Sequence, residues 1–385
     1  MRVAYVCCDP GIPVFGSKGC SVHVQEVVRE LLDRGAHVDL IAYRLGGEAL
    51  WNGPQFRIVH LPPPSAANEQ ERARALYLQN ARVVDVLQAA EPYDLVYERH
   101  ALYAYAGMQF ARSQGMASVL EVNAPLIEEQ QRYRTLGDRR LAERAALTAL
   151  NDAGQVVAVS EEVADYVRTV RRRDDRVFAI PNGVDVRRFD NSPRDARGTV
   201  TIGFVGTLKP WHGVSRLIDA FGKLAQQLVE TKLVIVGDGP QRDDLIAQAK
   251  ALHPQISSRI EFTGAVSPTA IPSQLARFDV AVAPYGDDAS FYFSPLKLFE
   301  YMAAGLPVVA SRIGQIPQVL TSDCGVLCSP GSTSELVSAL DALCRDAPLR
   351  ARLGAAGRLH VSARHTWSAV VDQILQLASP LAALG

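Results

Sequence analysis

Two stretches of this chain share one order: a short apolar run, a loop containing glycine, and a segment with the apolar spacing of a helix. The first stretch runs from residue 2 through the loop DPGIPVFGSKG to a helical pattern over 21–34. The second opens with TIGFVGTLKPWHG, where Gly213 begins a helix. Strand, glycine loop and helix form the start of a parallel βαβ unit. Because 385 residues exceed the size at which one hydrophobic core keeps growing, the repeated pattern predicts two α/β domains.

Composition predicts a globular protein without a nucleic-acid partner. Apolar residues make up 48% of the chain, charged residues 21%, and the formal net charge is −1. The six cysteines show no CxxC spacing, which predicts reduced, mostly buried thiols and a cytoplasmic location. The start, MRVAYVCC, is too short for the apolar core of a signal peptide, and no apolar run reaches the length of a membrane span.

Residues 294–310, SPLKLFEYMAAGLPVVA, predict a helix, a tight turn and a buried strand. Ser294 is a good N-cap residue, and Pro295 suits the first helical position because its missing N–H would have no partner there. The glycine and proline of GLP end the helix before the apolar run VVA.

The start of this helix predicts a nucleotide site. The free amides of Leu296 and Lys297, the positive end of the helix dipole and the Lys297 ammonium together suit a phosphate or diphosphate. Glu300 lies on the same helical side as Lys297, roughly 9 Å along the axis from Ser294, where it can accept hydrogen bonds from sugar hydroxyls. The alternative is an ordinary amphipathic helix with a solvated lysine and glutamate.

The first half supplies a second set of candidate residues. In its glycine loop, Gly16 and Gly19 let backbone amides approach a ligand and Lys18 adds a charge, although a merely connecting loop also fits. Further on, a predicted strand over 94–97 ends at Glu98, Arg99 and His100. Side chains at the carboxyl end of a parallel strand face the crevice in which open α/β sheets bind ligands. A structural role for the histidine is the alternative.

Glycines and cations at later strand ends complete the set of candidates. The strand in MASVLEVNAP leaves Glu121 and Asn123 at its end. In the second half, Gly206 lies at a strand end, Lys209 follows it, and Gly237 brings the backbone of LVIVGDGP close to the same edge. Two halves of this kind imply two Rossmann-like domains that face each other across a cleft.

The chain resembles the family-4 retaining glycosyltransferases of the GT-B fold over nearly its whole length. The motifs that carry the resemblance most specifically are SPLKLFEYMAAGLPVVA and PNGVD. The resemblance implies an acceptor-side domain over 1–188, a nucleotide-sugar donor domain over 189–364 joined through the polar linker NSPRDARGT, and a helix over 365–385 that crosses back to the first domain.

The resemblance also implies roles for single residues. Glu300 is the counterpart of the glutamate that binds the nucleotide ribose, and His100 of a histidine that lies against the reacting sugar. The loop from Gly16 to Gly19 matches one near the donor phosphates and the acceptor, and EVNAPL matches a segment on the acceptor side, with Lys18, Glu121 and Asn123 there. Many members carry a second glutamate eight residues before the first, where this chain has Tyr292.

The loop after the first strand of the second half departs from the family pattern. Its usual arginine and lysine positions hold Thr207 and His212, so Lys209 becomes the candidate cation opposite Lys297. A pair of ammonium groups can replace a divalent metal in neutralising a leaving diphosphate. We therefore predict His100, Lys209 and Lys297 as catalytic residues, with Gly206, Gly237 and Ser294 also at the donor and no metal site. A solvated loop lysine is the alternative for Lys209.

The implied activity is the transfer of a hexosyl or N-acetylhexosaminyl group from a nucleoside diphosphate sugar, by default UDP-linked, to a hydroxyl acceptor. The acceptor is a small molecule, a glycan or a lipid-linked molecule. The arginine-rich segment 132–144 is either a solvated face or a peripheral contact with a membrane surface. Two alternatives stay open: a sugar-nucleotide epimerase of the same fold and a non-catalytic subunit that binds nucleotide sugars. No complete G-x-G-x-x-G with a following ribose acid supports a nicotinamide dehydrogenase.

Overall fold

The computed structural model of the protein describes residues 1–171, 175–189, 198–287, 292 and 294–379. Contacts within the chain divide it into two compact units. The first contains Met1–Asn182, Tyr292–Ser294 and Trp367–Gly385, and the second contains Gly183–Phe291 and Pro295–Thr366. The predicted linker lies almost wholly outside the described residues.

The first unit is built on a parallel sheet of seven strands within the described residues. The order across the sheet is β3-β2-β1-β4-β5-β6-β7. The strands are β1 (Arg2–Cys7), β2 (His37–Ala42), β3 (Phe56–His60), β4 (Leu95–Arg99), β5 (Ala117–Val122), β6 (Gln155–Ala158) and β7 (Val177–Ala179). The inner strands β1 and β4 are buried over almost their whole length because a parallel sheet is covered on both faces.

Helices cover this sheet, and the last helix of the chain belongs to the same unit. The helices are α1 (Gly19–Asp33), α2 (Glu69–Gln88), α3 (Ala106–Gln114), α4 (Leu126–Tyr133), α5 (Arg139–Asp152), α6 (Glu161–Arg171) and, from the chain end, α15 (Trp367–Ala378). Arg34 at the end of α1 donates two hydrogen bonds to Asp372 of α15, at 2.7 and 3.0 Å. The ring of His23 on α1 packs edge-on against that of Trp367. These contacts join the two helices.

The second unit repeats the architecture with six parallel strands in its described part. Their order, β10-β9-β8-β11-β12-β13, matches that of the first six positions of the other sheet. The strands are β8 (Val200–Val205), β9 (Thr231–Val236), β10 (Ile260–Gly264), β11 (Val280–Ala283), β12 (Val308–Ser311) and β13 (Gly325–Cys328). The helices are α7 (Val214–Leu224), α8 (Arg242–Lys250), α9 (Pro254–Ser257), α10 (Ile271–Leu275), α11 (Leu296–Ala303), α12 (Ile316–Val319), α13 (Thr333–Arg345) and α14 (Ala347–Arg364).

The strand order places a topological switch point in each sheet. In the first unit β1 has β2 on one side and β4 on the other, and in the second unit β8 lies between β9 and β11. Successive connections leave to opposite sides at such a point, which opens a crevice beyond the carboxyl ends of the two central strands. The loops that follow β1, β4, β8 and β11 are therefore the segments that each unit offers to a ligand.

Two sequence predictions about local structure are wrong. Helix α11 begins at Leu296 with Pro295 as its N-cap, and no side chain caps it. Ser294 is not the cap because its hydroxyl oxygen accepts a hydrogen bond from the amide of Asn182 instead. Of the triplet predicted to follow the strand over 94–97, only His100 does so, because Glu98 and Arg99 are buried residues of β4 itself.

The cysteines are free and mostly buried, as the sequence predicted. All six thiols are free, and four of them are buried: Cys7, Cys8, Cys324 and Cys328. Within the described ranges, no helix combines the length and the apolar character needed to cross a membrane.

Candidate active site

The centre of the candidate site in the second unit is the Lys297 side chain in the first turn of α11. Its Nζ is buried and, within the described residues, makes no hydrogen bond. Instead it lies 4.1 Å from the ring centroid of Phe204 on β8 and 5.5 Å from that of Tyr285 after β11. Aromatic faces attract an ammonium but do not replace its hydrogen bonds. Lys297 therefore keeps three donor positions for an anion that binds here.

Burial also changes the acidity of this lysine. It lowers the pKa of Lys297 to about 7, and the carboxylate of Glu300 opposes the shift only in part. The ammonium is thus poorly solvated in the unliganded protein. In the described part of the chain, the backbone amides of Leu296 and Lys297 have no hydrogen-bond partner either, as expected at a helix start without a capping side chain. Two backbone donors and one ammonium are therefore available where the helix dipole is positive.

Glycines leave room for the Lys297 side chain. Gly206, which follows β8, has φ +150°, and a Cβ placed on it would lie 2.5 Å from Nζ of Lys297. A Cβ on Gly237, which follows β9 with φ +138°, would lie 2.0 Å from the carbonyl oxygen of Gly206. Both positions require glycine on steric grounds. The structure thus brings Gly206, Gly237 and Lys297 together, and their contact with a donor stays a prediction.

The loop after Gly206 holds Lys209, the second cation that the sequence analysis predicted at the donor. Lys209 places its Nζ 4.7 Å from the ring centroid of Trp211. His212 is bonded through Nδ1–H to the carbonyl of Thr207. Burial, helped by the charges of Lys297 and Lys209, lowers the pKa of His212 to about 3, so its ring is neutral. The residue at the usual lysine position therefore adds no positive charge here, and the catalytic role of Lys209 stays a prediction.

Glu300 lies one turn along α11 and is half-buried beside an arginine that the sequence analysis missed. A distance of 4.0 Å separates Nη1 of Arg188 from Oε1 of Glu300, and Nη2 of Arg188 donates to the carbonyl of Pro268 at 2.7 Å. Arg188 thus connects the carboxylate with the loop that follows β10. The two adjacent arginines shortly after PNGVD were the sequence feature that could have indicated this contact. Their spacing gave no link to a helix more than a hundred residues later.

Tyr292 and Ser294, which precede α11 in the chain, belong to the first unit. The carbonyl of Ser294 accepts a hydrogen bond of 3.1 Å from the Asn182 side chain, in addition to the bond at its hydroxyl. The hydroxyl of Tyr292 donates to Glu129 at 2.8 Å, and its carbonyl accepts from Ser160 at 2.6 Å. The side chain at the position of the usual second glutamate is therefore engaged by α4. A donor contact of Ser294 stays a prediction.

His100 directly follows β4 and is 9% exposed. Burial lowers the pKa of His100 to about 4, so the imidazole is neutral. Its Nδ1 is buried and has no hydrogen-bond partner among the described residues, whereas its amide donates to the carbonyl of Glu121 at 2.8 Å. An unpaired buried nitrogen is costly, and it is consistent with a ligand that supplies the missing bond. The catalytic role of His100 stays a prediction.

The carboxylate of Glu121 is fully engaged inside the first unit. It accepts from His23 at 2.8 Å and from Tyr97, Arg99 and Asn123. Although burial raises its pKa, His23 and Arg99 outweigh burial and hold the pKa of Glu121 well below its usual range. This side chain positions Asn123, which is half-buried, rather than offering free oxygens of its own. Their contact with an acceptor stays a prediction.

The glycine loop of the first unit leads directly into α1. Lys18 is exposed at the N-cap position, and Gly19 is the first residue of the helix. The carbonyl of Gly16 accepts from the side chain of Gln25 at 2.9 Å, which fixes the loop to α1. A Cβ on Gly16 would meet Cγ of Pro13 at 2.7 Å. The donor contacts predicted for Gly16, Lys18 and Gly19 stay predictions.

Comparisons with known proteins identify the family. A sequence profile described as "Glycosyltransferase Family 4" matches residues 17–188, and one described as "Glycosyl transferases group 1" matches residues 199–346. The chain belongs to the family-4 glycosyltransferases. A similar curated relative is the "Phosphatidyl-myo-inositol mannosyltransferase" of Mycobacterium leprae, 35% identical over 211 residues, which are 54% of each chain. The chain therefore matches about half the length of this relative.

Solved structures extend the similarity of fold to the whole chain. "Sucrose-phosphate synthase" from Thermosynechococcus elongatus superposes with a TM-score of 0.74 at 19% identity, covering 98% of both chains. Anabaena HepE in complex with UDP superposes with the same TM-score and identity, covering 98% of this chain and all of the other. At this identity the agreement concerns the fold alone, which is GT-B: two Rossmann-like units, each with a parallel sheet.

Proposed function

We propose that this member of family 4 transfers a hexosyl or N-acetylhexosaminyl group from a nucleoside diphosphate sugar to a hydroxyl acceptor, with retained configuration and without a metal ion. The observation that carries the proposal is the Lys297 ammonium: buried, without a hydrogen bond in the described structure, and located at the unpaired amides of a helix start. A diphosphate supplies oxygens for all of these donors at once.

The same arrangement supports a role in the chemical step. When the bond between the sugar and the diphosphate breaks, negative charge develops on the leaving phosphate. Lys297, the helix start and Lys209 provide positive charge in a partly water-excluded site, where electrostatic stabilisation is strongest. In a front-face reaction the leaving phosphate also takes the proton of the acceptor hydroxyl, so no carboxylate nucleophile is needed. We assign Glu300 to the ribose hydroxyls, and Nη1 of Arg188 lies 4.0 Å from its carboxylate.

We propose a metal-independent reaction because two ammonium groups and a helix start can neutralise a leaving diphosphate in place of a divalent metal. Within the described ranges, no three His, Cys, Asp or Glu side chains lie close enough together to hold a metal ion. We propose a UDP-linked sugar as the donor. GDP-linked and ADP-linked sugars are the alternative donors that the experiment must distinguish from it.

A product assay tests the proposal. The protein is screened for thermal stabilisation by UDP, GDP and ADP, and a ligand at 100 times its dissociation constant adds about 2.7 kcal/mol of stability. The corresponding nucleotide sugar and a panel of hydroxyl acceptors are then incubated with the protein in EDTA, and products are identified by mass spectrometry and by the NMR coupling of the anomeric proton. A glycoside with retained configuration supports the proposal, whereas free epimerised nucleotide sugar would identify an epimerase.

A non-catalytic nucleotide-sugar subunit is the second candidate. Thr207 and the neutral ring of His212 stand at positions that usually carry cations, and this favours weaker stabilisation of a leaving group. This alternative would be supported if the purified protein bound the nucleotide sugar without turning it over, and if addition of a cell extract restored turnover.

A further inference from the structure

The phenol of Tyr301 on α11 is bonded to the backbone of β8 in the second unit. Tyr301 is fully buried, and its hydroxyl oxygen accepts a hydrogen bond of 2.7 Å from the amide of Val205, the last residue of β8. The hydroxyl also donates to the carbonyl of Val205 at 3.3 Å. One side chain therefore pairs with both backbone groups of the residue at which β8 ends.

This bond stands where β8 has lost one of its two neighbouring strands. In the described structure β8 pairs with β9 as far as Val205, whereas its pairing with β11 stops at Gly203. Successive residues of a strand direct their backbone groups to opposite neighbours, and the amide of Gly206 donates to Val236 of β9 at 2.9 Å. The amide of Val205 thus faces the side of β11, and Tyr301 takes the place of the missing strand there.

The side chain of Lys297 lies where β8 and β11 separate. Its Nζ contacts the ring of Phe204 on β8 and the ring of Tyr285, two residues after β11. Lys297 and Tyr301 are four residues apart in α11, so both side chains lie on the same face of that helix. This face supplies the ammonium and, one turn later, the hydroxyl that replaces the strand partner of β8.

The two sides of the Lys297 position are held by separate hydroxyl groups. On the β8 side, Tyr301 fixes the residue directly before Gly206, and a Cβ on that glycine would lie 2.5 Å from the ammonium nitrogen. On the β11 side, the buried hydroxyl of Ser311 at the end of β12 donates to the carbonyl of Tyr285 at 2.6 Å. Loss of the Tyr301 hydroxyl should therefore move the β8 side alone.

We propose that Tyr301 is a positioning residue of the donor site, whose hydroxyl holds the end of β8 so that the Lys297 ammonium stays directed to a bound diphosphate. Tyr301 acts through Lys297 because its own oxygen is buried and bonded to the backbone. Without that oxygen the amide of Val205 needs another partner, and the strand end that carries Phe204 shifts to find one. The inference rests on the proposed function, because it concerns the affinity for the diphosphate of the donor.

Tyr301→Phe tests the inference because it removes the hydroxyl and keeps the ring. The dissociation constant of the full-length protein for UDP is measured by calorimetry in four forms: the unsubstituted protein, Tyr301→Phe, Lys297→Met and the double variant. We expect Tyr301→Phe to raise the dissociation constant by about tenfold, because the charged hydrogen bonds of the ammonium are weakened. Unchanged affinity in Tyr301→Phe would overturn the inference.

The double variant shows whether Tyr301 acts through Lys297. If it does, adding Tyr301→Phe to Lys297→Met should change the dissociation constant by less than about twofold, since the two substitutions affect one interaction. A loss of about tenfold in both backgrounds would overturn the inference, because Tyr301 would then act independently of the lysine.

The matched control is Tyr93→Phe in the first unit. Tyr93 is also buried, and its hydroxyl donates a bond of the same length, 2.7 Å, to Asp39. Tyr93→Phe should lower the melting temperature and leave the affinity for UDP unchanged. If both tyrosine variants weakened UDP binding equally, the effect would be one of general stability and the inference would fail. Melting temperatures verify that each variant is folded at the temperature of the titration.

Proton uptake is a second readout, which a loss of stability alone would not change. Burial holds the pKa of Lys297 at about 7, below its ordinary value of 10.5. If the end of β8 moves and water reaches the ammonium, this pKa rises. The uptake of protons on binding UDP-glucose at pH 8 should therefore be smaller in Tyr301→Phe than in the unsubstituted protein. Equal uptake in the two proteins would contradict the link between Tyr301 and Lys297.

The same titrations separate this inference from the proposed function. If Lys297→Met weakens UDP binding and Tyr301→Phe does not, the inference fails alone. If Lys297→Met leaves UDP binding unchanged, the assignment of the diphosphate to the start of α11 fails, and the inference fails with it.

Discussion

The low pKa of Lys297 predicts that the protein takes up a proton when it binds a nucleotide sugar. In the unliganded protein the pKa is about 7, so the side chain is mostly neutral at pH 8. A diphosphate next to Nζ favours the ammonium and restores the pKa toward its ordinary value of 10.5. At pH 8 about nine-tenths of a proton should therefore be taken up per nucleotide sugar bound.

The affinity should change with pH in the same direction. Between pH 6 and pH 8 the charged fraction of Lys297 falls about tenfold, so the dissociation constant should rise by about the same factor. A nucleotide sugar is the right ligand because its diphosphate, esterified at both ends, does not titrate in this range. His212 does not titrate there either, because its pKa is about 3.

Calorimetry in buffers of different ionisation enthalpy measures the proton uptake directly. Lys297→Met should abolish both the uptake and the pH dependence, and Lys223→Met, which removes an exposed lysine of α7, should change neither. A binding reaction at pH 8 with no proton uptake and a flat pH profile would refute the assignment of this lysine to the diphosphate. Without ligand, the unfolded chain holds more protons than the folded one between pH 7 and 10.5, so this lysine makes stability rise with pH, a contribution that Lys297→Met removes.

Three further variants test other parts of the site. Glu300→Gln should weaken nucleoside diphosphate binding more than tenfold, because charged hydrogen bonds contribute on the order of 1.5 to 3 kcal/mol; unchanged affinity in calorimetry would remove it from the donor site. Gly206→Ala should lower nucleotide affinity, since its methyl group would lie 2.5 Å from Nζ of Lys297, whereas Gly198→Ala, with open space around it, is the control that should bind normally. His100→Ala should lower turnover by about a hundredfold while the nucleotide still binds, because the phosphate and ribose contacts are assigned to the second unit. If turnover per folded molecule were preserved and only the melting temperature fell, the catalytic role would be refuted and His100 would have a structural role.

The sequence predicted the architecture because its signals are local. Each unit begins with an apolar run, a glycine loop and a helical pattern, and these features follow from burial on both faces of a parallel sheet. The same holds for the end of α11, where Gly305 with φ +65° stops the helix before β12.

The errors and omissions arise from contacts between distant segments. Ser294 has the residue type of an N-cap, but its hydroxyl is taken by Asn182, 112 residues earlier in the chain. The position of Lys297 against Phe204 and Tyr285 depends on the adjacency of β8 and β11, which no spacing in the sequence reveals. Sequence patterns predict elements, whereas a binding site depends on which elements become neighbours.

The central claim is that a nucleoside diphosphate binds at the start of α11. A crystal structure of the protein with UDP, or with whichever nucleotide stabilises it most, tests this claim most directly. The account predicts phosphate oxygens about 2.7–3.2 Å from Nζ of Lys297 and from the amides of Leu296 and Lys297, with the ribose hydroxyls on Glu300. A diphosphate bound elsewhere, with Nζ of Lys297 still between its two aromatic rings and without a hydrogen bond, would contradict it.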